Sequence, residues 1–204
     1  MGLPIRKLIV PVNDNDAFPR FLAGGAYEKV VPSRNSVSNA MNVGHPSNLA
    51  RLVAVYGWRM DETGRIHQMP DLAAMRRDLF SSSISDERTR ATIKEVWTKY
   101  QLLLEPHGAV AWRGFQDWLE GETVGRASSR AGSSVASPHR DFPAVILETA
   151  NPAKFPEEIE RMMGWSPDIP PTMEATNRLP EDFDRMGADY ERFREYLAAK
   201  HSRI

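Results

Sequence analysis

The 204-residue chain contains no cysteine, no long hydrophobic run and no excess of either charge, its formal net charge being −1. The absence of cysteine excludes disulfide bonds and thiolate metal sites, and it is typical of a reducing compartment. A nearly neutral chain gives no electrostatic reason to expect nucleic acid or an anionic membrane as a partner. The five histidines have no metal-ligand spacing, so we expect no metal site.

The apolar run near the start, from Leu8 to Val12, is too short for a membrane span or for the core of a signal peptide. We therefore expect a cytoplasmic protein without membrane contact. Hydrophobic residues make up 41% of the chain and charged residues 26%. This composition is sufficient to bury the core of one domain or parts of two.

The hydrophobic pattern alternates between helices and short strands, which predicts an α/β fold. Apolar residues recur at helical spacing in 49–56, 85–100, 108–119, from about 155 onward and in 180–200. Two short β-branched runs, at 8–10 and 145–147, are typical of buried parallel strands between helices. We expect an open parallel sheet flanked by helices, with an additional helical region at the C-terminus.

The pattern also predicts how the chain is divided. Residues 1–178 form one α/β domain, interrupted at 121–140 by a flexible surface loop in which Ser, Gly, Ala and Arg lack any hydrophobic period. Residues 179–204 form a C-terminal helix. Its apolar stripe, from Phe183 to Leu197, is predicted to pack against the body of the protein or against a partner chain.

Thr149 is the first candidate site residue, because it ends the second apolar run just before a helix start. In open α/β sheets, ligands bind in the crevice beyond the carboxyl ends of the strands. The alternative is that Thr149 is ordinary strand punctuation before a proline-rich turn. Position alone does not decide between the two.

Polar side chains in two other places are also candidates. Asn13, Asp14 and Asn15 follow the first predicted strand, either as part of a binding crevice or as a turn that uses its own local hydrogen bonds. Ser47 is predicted to cap the helix at 49–56, which puts Asn48 and Arg51 at its start. Arg51 would there either grip a phosphate or carboxylate or remain a surface charge.

Five segments, in the same order along the chain, resemble sequence patterns of the threonine synthase family. They are MGLPIRKLIV with NDND at 1–16, SNAMNVGHPSN at 38–48, SDERTRATIK at 85–94, LLEPHGAVA at 103–111 and LETANPAKFPE at 147–157. Asn42 and Asn151 depart from the family pattern, which has Asp and His at these positions. The resemblance covers about the last half of a synthase, and the chain begins at what looks like an internal methionine.

The resemblance implies a pyridoxal 5′-phosphate enzyme of fold type II, the tryptophan-synthase-β type. Thr149 would then meet the pyridine nitrogen of the cofactor. None of the six lysines lies in a segment that matches the Schiff-base motif of the family, and the glycine-rich phosphate loop is also absent. We therefore expect the chain to be inactive alone.

By the same resemblance, several residues are expected to bind the substrate. They are Asn13, Asp14, Asn15, Ser47, Asn48, Arg51 and His107. For His107 the alternative is a structural histidine at a helix entrance, held by backbone groups. The other side of the site would come from a complementing N-terminal half or from a homo-oligomer.

The expected function is the conversion of O-phospho-L-homoserine and water to L-threonine and phosphate, with this chain as the C-terminal part of the enzyme. Two alternatives stay open. One is a non-catalytic remnant or interaction module that docks through the stripe from Phe183 to Leu197. The other is a fragment of a related phospholyase with a different substrate.

Overall fold

The computed structural model describes residues 3–129 and 143–201. Contacts divide the chain into two units, Met1–Pro167 and Asp168–Ile204. The second unit begins ahead of the predicted C-terminal segment, 179–204, and contains it. Within the described ranges, no helix combines the length and the hydrophobicity required to cross a bilayer.

The first unit mixes short strands with helices. Its strands are β1 (Leu8–Ile9), β2 (Arg59–Met60), β3 (Ile66–Gln68) and β4 (Leu79–Phe80). Its helices are α1 (Ala17–Gly24), α2 (Leu49–Ala54), α3 (Leu72–Asp78), α4 (Asp86–Tyr100), α5 (Pro106–Ser129) and α6 (Pro156–Met163). A 3₁₀ turn at Pro152–Lys154 precedes α6.

The first predicted strand is present and is parallel to its neighbour. β1 pairs with β4, and the parallel pairing resumes where Val12 faces Ser83. Pro11 interrupts the ladder because its nitrogen carries no hydrogen to donate. β2 and β3 form an antiparallel hairpin. The predicted α/β class is therefore confirmed, with a small parallel sheet and surrounding helices.

The main apolar core joins α1, α2 and α3 to the two pairs of strands. Its buried members are Phe18, Phe21, Leu22, Leu49, Val53, Trp58, Met75 and Leu79. The rings of Phe21 and Trp58 stack with their centroids 4.5 Å apart. Burial of one such side chain contributes about 2 kcal/mol to folding.

A second apolar cluster holds α4 against α5. Ile93 and Val96 are buried in it with Leu104 and Ala109, as the helical spacing predicted over 85–100 requires. Ser85 caps α4, since its hydroxyl accepts the Arg88 backbone N–H at 3.3 Å.

Helix α5 also passes close to the end of β1. A Cβ atom at Gly114 would lie 2.3 Å from the Cβ of Pro11, so glycine is required at this crossing. The approach brings the first turns of α5 beside the residues that follow β1. It is therefore the contact that positions the candidate site.

The helix at Ser47 differs from its prediction. α2 begins at Leu49 with Asn48 as its N-cap residue, and no side chain caps it. Ser47 is therefore not the cap. The backbone oxygen of Asn48 accepts instead from the N–H groups of Arg51 and Leu52, at 3.0 and 3.4 Å.

The predicted loop at 121–140 is wrong over its first part. α5 continues through Ser129, and the rest of the predicted loop, 130–140, lies outside the described residues. The segment 121–129 contains no proline, and its two glycines cost only about 1 kcal/mol each in a helix. The missing hydrophobic period therefore did not exclude a helix.

The predicted strand at 145–147 is also wrong. Residues 143–149 form no strand, and the side chains of Val145 and Leu147 are 83% and 70% exposed. A strand needs a neighbour to accept and donate its ladder hydrogen bonds. The structure provides none to this segment from within the described residues.

The second unit contains two helices, α7 (Pro171–Asn177) and α8 (Tyr190–His201). The helix predicted at 180–200 therefore starts later than expected. Asp189 fixes its start, since its carboxylate accepts the backbone N–H of Arg192 at 2.8 Å. The side chains of Phe183 and Phe193 are 58% and 46% exposed, so the predicted stripe is not a buried core.

Candidate functional site

A cavity of about 300 Å³ lies where the chain leaves β1 and meets the first turns of α5. We call it the Asn13–His107 cavity. Three separate stretches of sequence line it, and the lining residues are Pro11, Val12, Asn13, Asn15, Phe18, Ser38, Met41, Val43, Pro46, His107, Val110 and Ala111. Three of the predicted site residues, Asn13, Asn15 and His107, therefore lie around one space.

Asn13 connects the end of β1 to the segment around Ser38. Its side-chain amide donates to the Ser38 hydroxyl at 3.0 Å. Its Oδ1 accepts from the backbone N–H and the side-chain amide of Asn15, at 3.0 and 3.1 Å. Asn13 is half-buried and borders the cavity, so its amide is held in a fixed orientation at the cavity wall.

Asn15 is 6% exposed, and its amide is occupied by protein groups. It donates to the Arg34 carbonyl at 2.9 Å and accepts the Arg34 backbone N–H at 2.8 Å. The structure thus favours a turn-forming role for Asn15. Asp14 lies between the two asparagines but does not line the cavity, and its carboxylate has no hydrogen bond or ion pair within 3–129 and 143–201.

His107 enters the cavity from the first turn of α5. Its Nδ1 lies 2.6 Å from a carboxylate oxygen of Glu105, which is fully buried. The same carboxylate accepts the backbone N–H groups of His107 and Gly108, both at 2.8 Å. Glu105 is therefore the acidic cap of α5 and the partner of the His107 ring at once.

Glu148 joins the segment before Thr149 to this group. Its Oε1 accepts the backbone N–H of Glu105 at 2.8 Å, and its side chain lies directly against Gly108. Burial raises the pKa of Glu148, and the negative charge of Glu105 raises it further, although the hydrogen bond from the Glu105 backbone opposes the rise. Two carboxylates thus meet at the N-terminus of α5.

Thr149 follows Glu148 in the chain but does not line the Asn13–His107 cavity. Its side chain is exposed. Among the described residues its hydroxyl has no hydrogen-bond partner. The role predicted for Thr149 therefore stays a prediction.

Ser47, Asn48 and Arg51 are not brought to the cavity, although their neighbour Pro46 is part of its wall. All three are exposed. α2 is a short helix whose N-terminus carries no side-chain cap. The structure does not join these residues to Asn13 and His107.

Sequence reasoning missed Ser36, Ser38, Asp86 and Glu105. The hydroxyl of Ser36 donates to the Asp86 carboxylate at 2.7 Å, and the Ser36 and Ser38 hydroxyls are 3.3 Å apart. Asp86 was interpreted only as an acidic residue in the first turn of α4. The matched segments at 38–48, 85–94 and 103–111 contained three of these residues, which was the available signal.

A second cavity, of about 500 Å³, lies between residues 35–39 and the start of α6. Lys154 and Arg161 line it together with Asp86, Glu157 and Glu158. This mixture of both charges gives no preference for one kind of ligand. We assign it no function.

The comparisons with known proteins agree with one another. The family model described as "Threonine synthase, C-terminal" matches residues 124–197. The threonine synthase of Haemophilus influenzae is 30% identical over 200 residues, which cover 97% of this chain and 38% of that protein. The crystal structure of threonine synthase from Escherichia coli aligns with a TM-score of 0.73 at 26% identity, over 97% of this chain and 38% of that one.

A further crystal structure, of pyridoxal-phosphate-bound threonine synthase from Brucella melitensis, aligns with a TM-score of 0.70 at 30% identity, over 100% of this chain and 42% of that one. The chain thus has the fold of part of an α/β enzyme, and it spans about two fifths of the length of the proteins it matches. The matched part corresponds to the C-terminal part of threonine synthases, so the resemblance predicted from five sequence segments is confirmed.

Proposed function

We propose that the chain is the C-terminal part of a threonine synthase that converts O-phospho-L-homoserine and water to L-threonine and phosphate with pyridoxal 5′-phosphate. The observation that carries the proposal is the Asn13–His107 cavity. Residues from three of the five matched segments, at 1–16, 38–48 and 103–111, line it together. Resemblance of the apolar core alone would not require these polar residues to meet.

The cofactor would supply the electron sink of the reaction, and it requires a lysine as its covalent anchor. None of the six lysines lines the Asn13–His107 cavity. Lys7 donates to the carbonyls of Arg76 and Arg77, and Lys154 lines the other cavity. The described residues also contain no glycine-rich run of N–H groups opening a helix. These residues do not fit the cofactor by themselves, and we derive no step through it.

The proposed contribution of this chain is one wall of the substrate site. O-Phosphohomoserine carries a phosphate and a carboxylate, so its site needs hydrogen-bond donors. Asn13 and His107 offer an amide and an imidazole at the cavity wall. The Thr149 hydroxyl is proposed to face the cofactor ring, next to the point where Glu148 binds the N-terminus of α5.

The remaining wall is proposed to come from the rest of a synthase, on the same polypeptide or on another. The exposed apolar residues Val145 and Leu147 support this proposal. They precede Thr149 and have the alternation of a strand without a partner strand. Pairing with a strand of the remaining part would bury them and would fix Thr149.

The test begins with the genomic sequence upstream of Met1. A reading frame there that encodes the lysine motif and the phosphate loop is expected, and its product is to be produced together with the 204-residue chain. We expect release of phosphate from O-phosphohomoserine only when both parts and the cofactor are present. Thr149→Val is expected to lower the rate, and Thr149→Ser is the matched control that keeps a hydroxyl.

Two results would contradict the proposal. One is turnover by the 204-residue chain alone with pyridoxal phosphate, with one of its lysines trapped on the cofactor by borohydride. The other is no phosphate release from the two parts together although both are folded.

A second candidate function is an interaction module without catalysis. The exposed stripe of the second unit favours it, since Phe183, Met186 and Phe193 are 58%, 43% and 46% exposed. Unrelated sequence upstream of Met1 would support this alternative. An adjacent frame with the lysine motif would exclude it.

A further inference from the structure

Glu105 is a fully buried carboxylate, and burial of an unpaired charge is costly. Here three hydrogen bonds offset the cost. The carboxylate accepts the backbone N–H groups of His107 and Gly108, both at 2.8 Å, and lies 2.6 Å from Nδ1 of the His107 ring. Both oxygens of Glu105 are therefore in use.

The surroundings keep this carboxylate ionised. The two backbone N–H groups belong to the first turn of α5, where they have no acceptor within the helix and where the helix dipole is positive. Burial raises the pKa of Glu105, but the hydrogen bonds from the His107 side chain and from the backbone outweigh it, and the net pKa lies below its ordinary value.

An ionised carboxylate can only accept hydrogen bonds. Nδ1 of His107 must then carry a proton, whether the ring is neutral or charged. The Phe155 ring lies against the imidazole, with the two centroids 5.6 Å apart, and further restricts its orientation. The ring therefore has one fixed tautomer and one direction.

The nitrogen that remains is Nε2. No hydrogen bond within 3–129 and 143–201 uses it, while His107 itself lines the Asn13–His107 cavity. The lining contains no carboxylate and no other ionisable side chain. An anionic group in the cavity would thus meet the His107 imidazole without a carboxylate in the lining, while the Glu105 carboxylate contacts the ring on its Nδ1 side.

We propose that Glu105 is a positioning residue, which keeps a proton on His107 Nδ1 and points Nε2 into the Asn13–His107 cavity, where the protonated ring donates its Nε2–H to an anionic oxygen of the substrate. The identity of that substrate rests on the proposed function. Its phosphate and its carboxylate are the two sources of such an oxygen. The role of Glu105 itself depends only on groups within this chain.

The first experiment measures the tautomer directly. The 204-residue chain is labelled with ¹⁵N-histidine, and the ring nitrogens are observed by long-range ¹H–¹⁵N correlation, with His107→Gln assigning the His107 signals. We expect His107 to keep its proton on Nδ1 across the titration, while Nε2 alone gains and loses one. Glu105→Gln is expected to populate the other tautomer.

Asp71 offers a matched control. It also caps a helix, since its carboxylate accepts the Ala74 backbone N–H at 2.9 Å. Asp71→Asn should leave the His107 signals unchanged. If Glu105→Gln does not fold, Glu105→Asp and the wild-type titration still decide, because Glu105→Asp retains the carboxylate and should retain the tautomer. An Nε2–H tautomer in the folded wild type would overturn the proposal.

The second experiment identifies the anionic oxygen. Inorganic phosphate and L-homoserine are titrated separately into the labelled chain at constant ionic strength. A shift of His107 Nε2 with phosphate assigns the substrate phosphate, and a shift with L-homoserine assigns the carboxylate. No shift with either probe would overturn the role of Nε2.

The complemented enzyme gives a readout that separates positioning from folding. Glu105→Gln should raise KM for O-phosphohomoserine about tenfold, the loss of one charge-assisted hydrogen bond, and Asp71→Asn should not. In the His107→Gln background, Glu105→Gln should add little further change. If Glu105→Gln raised KM equally in both backgrounds, Glu105 would affect KM only by stabilising α5 and not through His107. An inactive complemented enzyme with the expected tautomer would count against the proposed function alone.

Discussion

Two segments of this chain were predicted as buried strands that end in polar residues, but only one of them forms a strand in the structure. β1 pairs with β4, and the asparagines after it are bound by Ser38 and Arg34. The segment before Thr149 has no strand partner among the described residues, and its Val145 side chain is 83% exposed. Within the part of the chain that the structure describes, only one of these two segments has a partner strand.

The difference shows what a hydrophobic pattern records. It reports that a segment is buried in the working protein, but it does not report which segment covers it. For β1 the covering elements are β4 and α5, both within this chain. For 143–149 the covering element is proposed to be the rest of the synthase.

The largest effect is expected at the crossing of α5 and β1. Gly114→Ala would put a Cβ atom 2.3 Å from Pro11 Cβ and 2.6 Å from its Cγ, so the helix and the strand must separate. We expect a loss of about 3 kcal/mol in the free energy of unfolding, measured by urea denaturation.

Gly121 is the matched control on the same helix, because a Cβ atom there meets nothing within 4 Å. Gly121→Ala should stabilise the chain by up to about 1 kcal/mol through helix propensity. Equal destabilisation by both substitutions would show that α5 and β1 do not meet as described.

Asn15→Ala is expected to cost about 2 kcal/mol, measured in the same way. It removes the amide that binds both backbone groups of Arg34 and leaves those groups without their partner. Asp14→Ala is the control, since the Asp14 carboxylate has no partner within the described ranges, and its effect should stay within about 0.5 kcal/mol. A larger loss of stability for Asp14→Ala than for Asn15→Ala would indicate that Asp14, and not Asn15, stabilises the turn.

Substitutions in the segment before Thr149 should affect association with the remaining part of the synthase rather than the stability of the chain. Val145→Lys together with Leu147→Lys should change the stability of the chain alone by less than about 0.5 kcal/mol, because both side chains are already exposed. Association with the remaining part of the synthase should weaken at least about tenfold, measured by titration calorimetry, since two lysines would have to be buried. Unchanged association would exclude this segment from the interface.

Much of the candidate site could be predicted from the sequence. Asn13 and His107 were chosen from separate segments and line the same cavity. The role of Glu105 was missed because a buried acid at a helix start is recognised only by its partners, here the His107 ring and two backbone N–H groups. Ser47 was wrongly predicted as the cap of α2, which begins at Leu49 without a side-chain cap, and the binding roles of Ser47 and Arg51 stay predictions.

The elements of the fold were also predicted correctly where the signal is local to one segment, and wrongly where it depends on a second segment. α4 was predicted closely, at 85–100 against the observed Asp86–Tyr100, since the spacing of its apolar residues is a local signal. α5 was predicted too short because the sequence after Leu119 has no hydrophobic period, and periodicity detects only amphipathic helices. The segment at 145–147 was wrongly predicted as a strand because pairing is a property of two segments, and the described residues provide no second one.

The smallest effect on stability is expected where the segment before Thr149 meets the start of α5. Glu148 accepts the backbone N–H of Glu105 at 2.8 Å, and burial, followed by the charge of Glu105, raises its pKa above the ordinary 4.5. An acid with a raised folded pKa destabilises the fold once it is ionised. Glu148→Gln keeps the accepting oxygen and removes the charge, so it should stabilise the chain at pH 7 by a few tenths of a kcal/mol, because solvent screens this side chain.

The gain should disappear as the pH falls below the ordinary pKa of 4.5, since Glu148 is then protonated in the folded and the unfolded chain alike. Thermal unfolding midpoints between pH 3 and pH 8 would measure the trend, and Glu181→Gln, in an exposed part of the second unit, controls for the change in net charge. A gain that persists at low pH would come from packing rather than charge. It would then be wrong to treat the two carboxylates at the start of α5 as opposing charges, and the segment before Thr149 would be held there by contact alone.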